Sequence, residues 1–121
     1  MKIGMVLKQQ YPPDIRVDKE AKALSAGGHE VHLLAEGLPG QAAREVTNEM
    51  QIHRVRPLDP LSLSLNWIKF YVLNSFINEH WKKCMENFVL KEKIECLHIH
   101  DLPLLGTALE VSNKYGLPVV I

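Results

Sequence analysis

The sequence predicts an α/β protein, a doubly wound parallel sheet with helices on both faces. Two observations lead there. Short apolar runs alternate with segments of helical period along the chain, and such alternation builds parallel sheets through right-handed crossovers. The loops after the first and fourth apolar runs, "KQQYPPDIR" and "HIHDLP", are also the most unusual stretches present. In open α/β sheets ligands bind beyond the carboxyl ends of the strands, where strand order reverses. The first and fourth strands are expected to flank that reversal.

The elements follow in order. Lys2–Leu7 (KIGMVL) is short and apolar, as a buried strand is. Asp14 suits the N-cap of the next helix. Val17, Ala21, Leu24 and Gly28 recur at helical spacing and give that helix a narrow core face, and Gly27-Gly28 closes it. His29–Ala35 (HEVHLLA) is the second strand. "EGLPGQAARE" combines glycines with a proline and reads as a loop. Met50–Pro57 alternates imperfectly and reads as a third strand. Pro57 and Pro60 bracket a linker. A long helix is expected from about Leu63 to Lys91, because Trp67, Phe70, Tyr71, Asn74, Ile77, Trp81, Cys84, Met85 and Phe88 lie near one face. Ile94–His100 is the fourth strand. Pro103–Gly116 is a helix with proline in its first turn and glycine at its end. Leu117–Ile121 opens a fifth strand.

Composition narrows the class. The chain has 121 residues, which suits one domain or part of one. Lys+Arg and Asp+Glu are both 14, a balance that argues against a nucleic-acid partner. Cys84 and Cys96 form no CxxC pair and no zinc-ligand spacing, so they read as reduced structural thiols of a cytoplasmic protein. The amino terminus has too short an apolar run for a signal peptide. The apolar stretch "LNWIKFYVLNSFINEHW" is broken by Lys69, Asn74, Asn78 and Glu79 and is no membrane span.

The first loop contains no glycine. A dinucleotide fingerprint or a P-loop is therefore absent where it would have to be, which excludes an ordinary NAD oxidoreductase or P-loop NTPase. Arg16 is the first positive signal. A cation in the first turn of a helix opposes the helix dipole at a cost of about 0.3–1 kcal/mol. Either Arg16 is a solvated residue paired with Glu20, or it meets an anionic or polyhydroxyl ligand together with the helix N-terminus. In the second case Tyr11, Pro12 and Pro13 form a stiff apolar lip.

"HIHD" is the second signal. On a strand His98 and His100 share one face and Ile99 and Asp101 the other. Three readings stand. The two histidines could bind a metal, as such a pair does in amidohydrolases, but the further ligands that family carries downstream are missing, so no metal is expected. His98 could be a core or rim residue with Asp101 capping the next helix. Or His100, at the strand's carboxyl end, faces the crevice as a donor to a phosphate or hydroxyl. The aromatic face of the long helix reads as core. The alternative is a membrane-surface helix using Trp67, Phe70, Tyr71 and Trp81 with Lys69, Lys82 and Lys83. His29, His32, His53 and His80 show no ligand spacing.

"YPPDIRVDKEAKALSAGGHEVHLLA" followed by "IECLHIHDLPLLGTALEVSNKYGLPVVI" resembles the N-terminal domain of family 4 glycosyltransferases, and the likeness covers nearly the whole chain. The resemblance implies a GT-B architecture of two Rossmann-like domains facing a cleft. Together with right-handed crossovers it implies strand order 3-2-1-4-5. It implies that the N-terminal domain holds a sugar or glycolipid acceptor, and that Tyr11, Pro13, Asp14 and Arg16 lie on the acceptor side. His100 matches the family histidine that contacts the reacting sugar, and Asp101 occupies a position that varies between Asp and Glu. It implies no cofactor, the nucleotide-sugar donor being a co-substrate held by the second domain. The reaction it implies is retaining transfer, which depends on positioning and leaving-group stabilisation. The glycine pair of many members is missing from the first loop, as it is in a "PPDxR" subgroup.

The same resemblance makes residues 1–121 one incomplete Rossmann-like domain, lacking further strands and the donor domain. The expectation is an acceptor-side piece of a retaining glycosyltransferase, inactive alone, or else a non-catalytic subunit that pairs with a separate donor-binding half. Peripheral membrane contact is the partner reading left open by the long helix. Self-association through Leu117–Ile121 is expected from an open apolar edge.

Overall fold

The computed structural model describes residues 1–38, 40–56, 79–100 and 102–121. Its strands are β1 (Lys2–Gln10), β2 (Glu30–Glu36), β3 (Arg44–Val46), β4 (Gln51–Val55), β5 (Cys96–Ile99) and β6 (Val119–Val120). The described helices are α1 (Ile15–Ala26), α2 (Glu79–Glu92) and α3 (Leu105–Tyr115), the last entered through a 3₁₀ turn, Leu102–Leu104. The sheet order is β3-β4-β2-β1-β5-β6. The five expected strands are β4, β2, β1, β5 and β6 in that order, all parallel.

Three details differ from expectation. β1 runs to Gln10, three residues beyond the apolar run, and its last residues are exposed. The segment read as a loop after β2 contains β3, which pairs antiparallel with β4 as an edge strand and buries no side chain. An element without a core face leaves no hydrophobic period to read. Pro103 lies in the 3₁₀ turn before α3 rather than in the α-helix. The linker and the first sixteen residues of the expected long helix, 63–78, fall outside the described residues.

Two cores flank the sheet. Ile3, Met5, Leu7, Leu33 and Ile52 face α1, which presents Val17 and Ala21. Val6, Leu34 and Val55 face Trp81, Met85 and Phe88 of α2 and Ala108 and Val111 of α3. Trp81 is buried there, so it is not available to a membrane surface, and Lys82 beside it pairs with Glu110 at 2.9 Å. No helix among the described residues is long and apolar enough to cross a membrane. Cys84 and Cys96 are free, and burial raises both thiol pKa values, which keeps them protonated and unreactive.

Helix ends follow the sequence signals. Asp14 caps α1 by accepting from the backbone N–H of Arg16 and Val17. Gly116 ends α3 in the left-handed conformation, with φ 67°.

Candidate functional site

β1 and β5 are adjacent at the centre of the sheet, and their carboxyl ends carry the two unusual loops. The backbone N–H of His100 donates to the carbonyl of Val6, which holds the end of β5 against β1. α1 crosses the same face, and its Glu20 comes to rest over β5. Glu20 Oε2 lies 3.3 Å from His98 Nδ1 and 3.1 Å from His100 Nε2. The two imidazoles are stacked with centroids 4.6 Å apart. Placing His98 and His100 on one face is what strand geometry demands. Glu20 was legible only as a partner for Arg16, because a single helical glutamate carries no signal of its target across the sheet.

Glu20 Oε2 and His100 Nε2 are buried, and neither makes a hydrogen bond of good geometry among the described residues. The three atoms converge without aiming at one another. Chemically such a trio can share a proton, meet a polar ligand group, or hold a metal ion. The His100 side chain is 5% exposed. Burial pushes its pKa below the ordinary value; Glu20 opposes this, His98 and Arg16 reinforce it, and Asp14 opposes it. His100 is therefore a neutral imidazole near pH 7.

This shift gives a stability prediction. A histidine of lowered pKa stays neutral in the folded state at a pH where the unfolded chain, near the ordinary value of 6.5, takes up a proton. Stability is then fully present above about pH 6.5 and lost as pH falls below it. Urea midpoints at pH 5.5 and 7.5 are expected to differ less in His100→Gln than in the wild type. An equal difference would remove His100 as a source of the pH dependence.

The first loop answers the question posed by Arg16. Its guanidinium lies 3.0 Å from Asp14 Oδ2, so the N-cap carboxylate that satisfies the helix also offsets the cation. The Asp14 pKa is lowered, chiefly by that hydrogen bond, with the Val17 N–H adding to it and desolvation opposing. Arg16 is 59% exposed and its pair lies within range of His100. Pro13 is exposed at the turn into α1. Tyr11 is buried, and its hydroxyl donates to Asp18. Burial first, then that acidic neighbour, drives its pKa far above the usual tyrosine range. Asp101 lies outside the described residues. The structure thus pairs Asp14 with Arg16, places Pro13 at the same loop, seats Tyr11 in the core, and groups His100 with His98 and Glu20.

Arg54 supports this loop and was not apparent from the sequence. Its side chain is 5% exposed and bonds the carbonyls of Tyr11 at 3.2 Å and Ala42 at 3.0 Å. A buried guanidinium on β4 thereby ties the end of β1 to the segment before β3.

No protein-family profile and no curated protein matches the chain. Twelve solved chains match by structure. Sucrose-phosphate synthase from Thermosynechococcus elongatus superposes with TM-score 0.70 at 12% identity over 98% of this chain and 31% of that one. A second structure of that synthase gives TM-score 0.63 at 12% identity, over 98% of this chain and 60% of that one. A structure described as trehalose-6-phosphate from E. coli bound with UDP-2-fluoro glucose gives TM-score 0.56 at 18% identity, over 97% of this chain and 31% of that one. The chain thus spans under a third of the length of two of these three structures. At these identities the likeness is one of fold: a mostly parallel six-stranded sheet matching a Rossmann-like portion of a GT-B architecture.

Proposed function

We propose that this chain is the acceptor-side, N-terminal Rossmann-like domain of a retaining family 4 glycosyltransferase that uses a nucleotide-sugar donor. The observation that carries the reading is the buried His100, clustered with His98 and Glu20 at the carboxyl end of β5, on the strand next to the one whose following loop carries the Asp14–Arg16 pair. That is the position at which open α/β sheets bind ligands. The synthases of similar fold are named for phosphorylated sugars, and one structure holds a UDP-sugar analogue, which supports the substrate class.

In this reading Arg16 supplies charge-assisted donors to acceptor oxygens. His100, neutral at pH 7, contacts a hydroxyl of the reacting sugar. Its ring is stacked on His98, and Nε2, which makes no hydrogen bond of good geometry with Glu20, is the atom offered to that hydroxyl. The protein's contribution is orientation and electrostatic stabilisation of a departing nucleoside diphosphate, with no cofactor of its own.

The test is nucleoside diphosphate release by a transfer-competent enzyme carrying this chain, across a panel of nucleotide sugars, with the product anomer read by NMR. Release dependent on an added acceptor, with retained configuration, is the expected result. Absence of release with every donor, or inversion, would overturn the reading. Arg16→Ala is expected to raise the acceptor KM severalfold with kcat little changed, since it removes ground-state binding.

The reading includes association of this chain with itself. β6 is a short edge strand, and Val120 on it and Ile121 after it are 50% and 73% exposed. Beside it Ile3, Ala23, Leu24 and Cys96 line a mostly apolar groove that Glu20 and His98 also line. An open edge next to an apolar surface favours pairing with a second copy. Sedimentation of the chain at increasing concentration should show a dimer that Val120→Lys disperses. A monomer at the highest concentration would count against it.

A further inference from the structure

On the opposite face of the sheet from Glu20, His98 and His100 lies a second cluster of ligand-type side chains. It does not depend on the functional reading above. His32 of β2 is 1% exposed. Its Nε2 lies 2.9 Å from Glu30 Oε1, and its Nδ1 lies 3.2 Å from His53 Nε2 of β4 and 3.8 Å from Glu92 Oε2 at the end of α2. His32 is diagonal to His53 because its register partner is Gln51 while Leu34 faces His53. Sequence spacing could not reveal this, since the three residues meet only once β2 and β4 are paired and α2 has returned over them.

We infer that His32 Nδ1, His53 Nε2 and Glu92 Oε2 form a binding site for a zinc-type divalent cation. The Glu30 carboxylate takes the proton of Nε2 as a hydrogen bond, which leaves Nδ1 as a bare lone pair. This is the outer-shell arrangement that fixes the tautomer of metal-ligating histidines. That lone pair then faces a second acceptor, the Glu92 carboxylate, in a place almost closed to water. A cation between them satisfies both. Two imidazole nitrogens on one tetrahedral zinc, each about 2.0–2.1 Å from the ion, stand about 3.3 Å apart. The observed His32–His53 spacing of 3.2 Å matches that separation. The carboxylate is 13% exposed and close enough to complete a three-ligand set with water in the fourth position. Two imidazoles and a carboxylate suit zinc better than calcium or magnesium, which prefer oxygen ligands. Phe88 packs edge-on against both rings, at 6.3 and 5.3 Å between centroids, and shields one side of the site. Bound zinc would pin the carboxyl end of α2 to β2 and β4.

The competing arrangement is a plain hydrogen-bond chain, in which His53 donates to His32 and no ion is needed. Calorimetric titration of the full chain with zinc distinguishes the two. The expected result is saturable binding that His53→Gln and Glu92→Gln each weaken about tenfold or more, with Glu20→Gln without effect. Cobalt substituted for zinc should give the intense visible absorption of four-coordinate Co²⁺, lost in His53→Gln. Should His53→Gln fail to fold, Glu92→Gln alone decides, because that side chain keeps its size. Absence of saturable binding, affinity unchanged in Glu92→Gln, or affinity lost in Glu20→Gln would each overturn the assignment.

Discussion

In a transfer-competent enzyme carrying this chain, His100→Ala is expected to lower kcat by about 10²-fold or more. That is the scale on which removal of one preorganised hydrogen-bond donor to a developing transition state acts. The expectation rests on rigidity as much as on proximity. The backbone of His100 is tied to Val6, its ring is stacked on His98, and its side chain is 5% exposed. A ring so held loses little entropy when substrate arrives, and this is where preorganised donors gain their effect. His100→Gln is expected to recover part of the loss, since the amide keeps a donor near the same position. The split between kcat and KM is informative: a residue acting only in acceptor binding would raise KM and spare kcat. Parent-level turnover in His100→Ala would remove the residue from the site.

Most of the fold was legible because each of its main elements has one buried side. β1, β2 and β5 are central strands of mostly buried residues, α1 carries a clear start residue in Asp14, and α3 a clear stop residue in Gly116. β3 was missed because it is an exposed edge, where no burial constrains the sequence. The site was legible only along the chain. His98 with His100, and Asp14 with Arg16, are neighbours in sequence, so their shared faces follow from local geometry. Glu20, Arg54 and the His32–His53–Glu92 group are joined by tertiary pairing, and no spacing rule reaches across 21 or more residues between strands. Tyr11 shows the converse. Its place beside Pro12 and Pro13 in the first loop suggested a stiff apolar lip, yet the hydroxyl finds Asp18 four residues into α1 and the ring joins the core.

Phe88→Ala is expected to destabilise the fold by about 3–5 kcal/mol, the cost of deleting a buried aromatic and leaving a cavity. Against a total stability of about 5–15 kcal/mol this is a large fraction. The reason lies in Gly4, directly beneath the ring on β1. A Cβ placed on Gly4 would come within 2.8 Å of Phe88 Cε2 and 2.9 Å of Ile94 Cγ2, so the glycine exists to let the aromatic ring approach the sheet. Phe88 and Ile94 are both buried in the core that joins α2 to the sheet, and neither can move aside without disturbing its neighbours. Gly4→Ala alone is therefore expected to cost about 1–3 kcal/mol by overpacking. The two changes should not add. With Phe88 replaced, the methyl at position 4 enters space the ring has vacated, and only the Ile94 contact remains to be relieved. The double variant Gly4→Ala/Phe88→Ala is expected to be more stable than the sum of the single effects by about 1 kcal/mol, within the range seen for residues in contact. Urea unfolding of the four proteins measures this directly. Strict additivity would show that the ring does not rest on Gly4, and the packing of α2 over β1 would need another explanation.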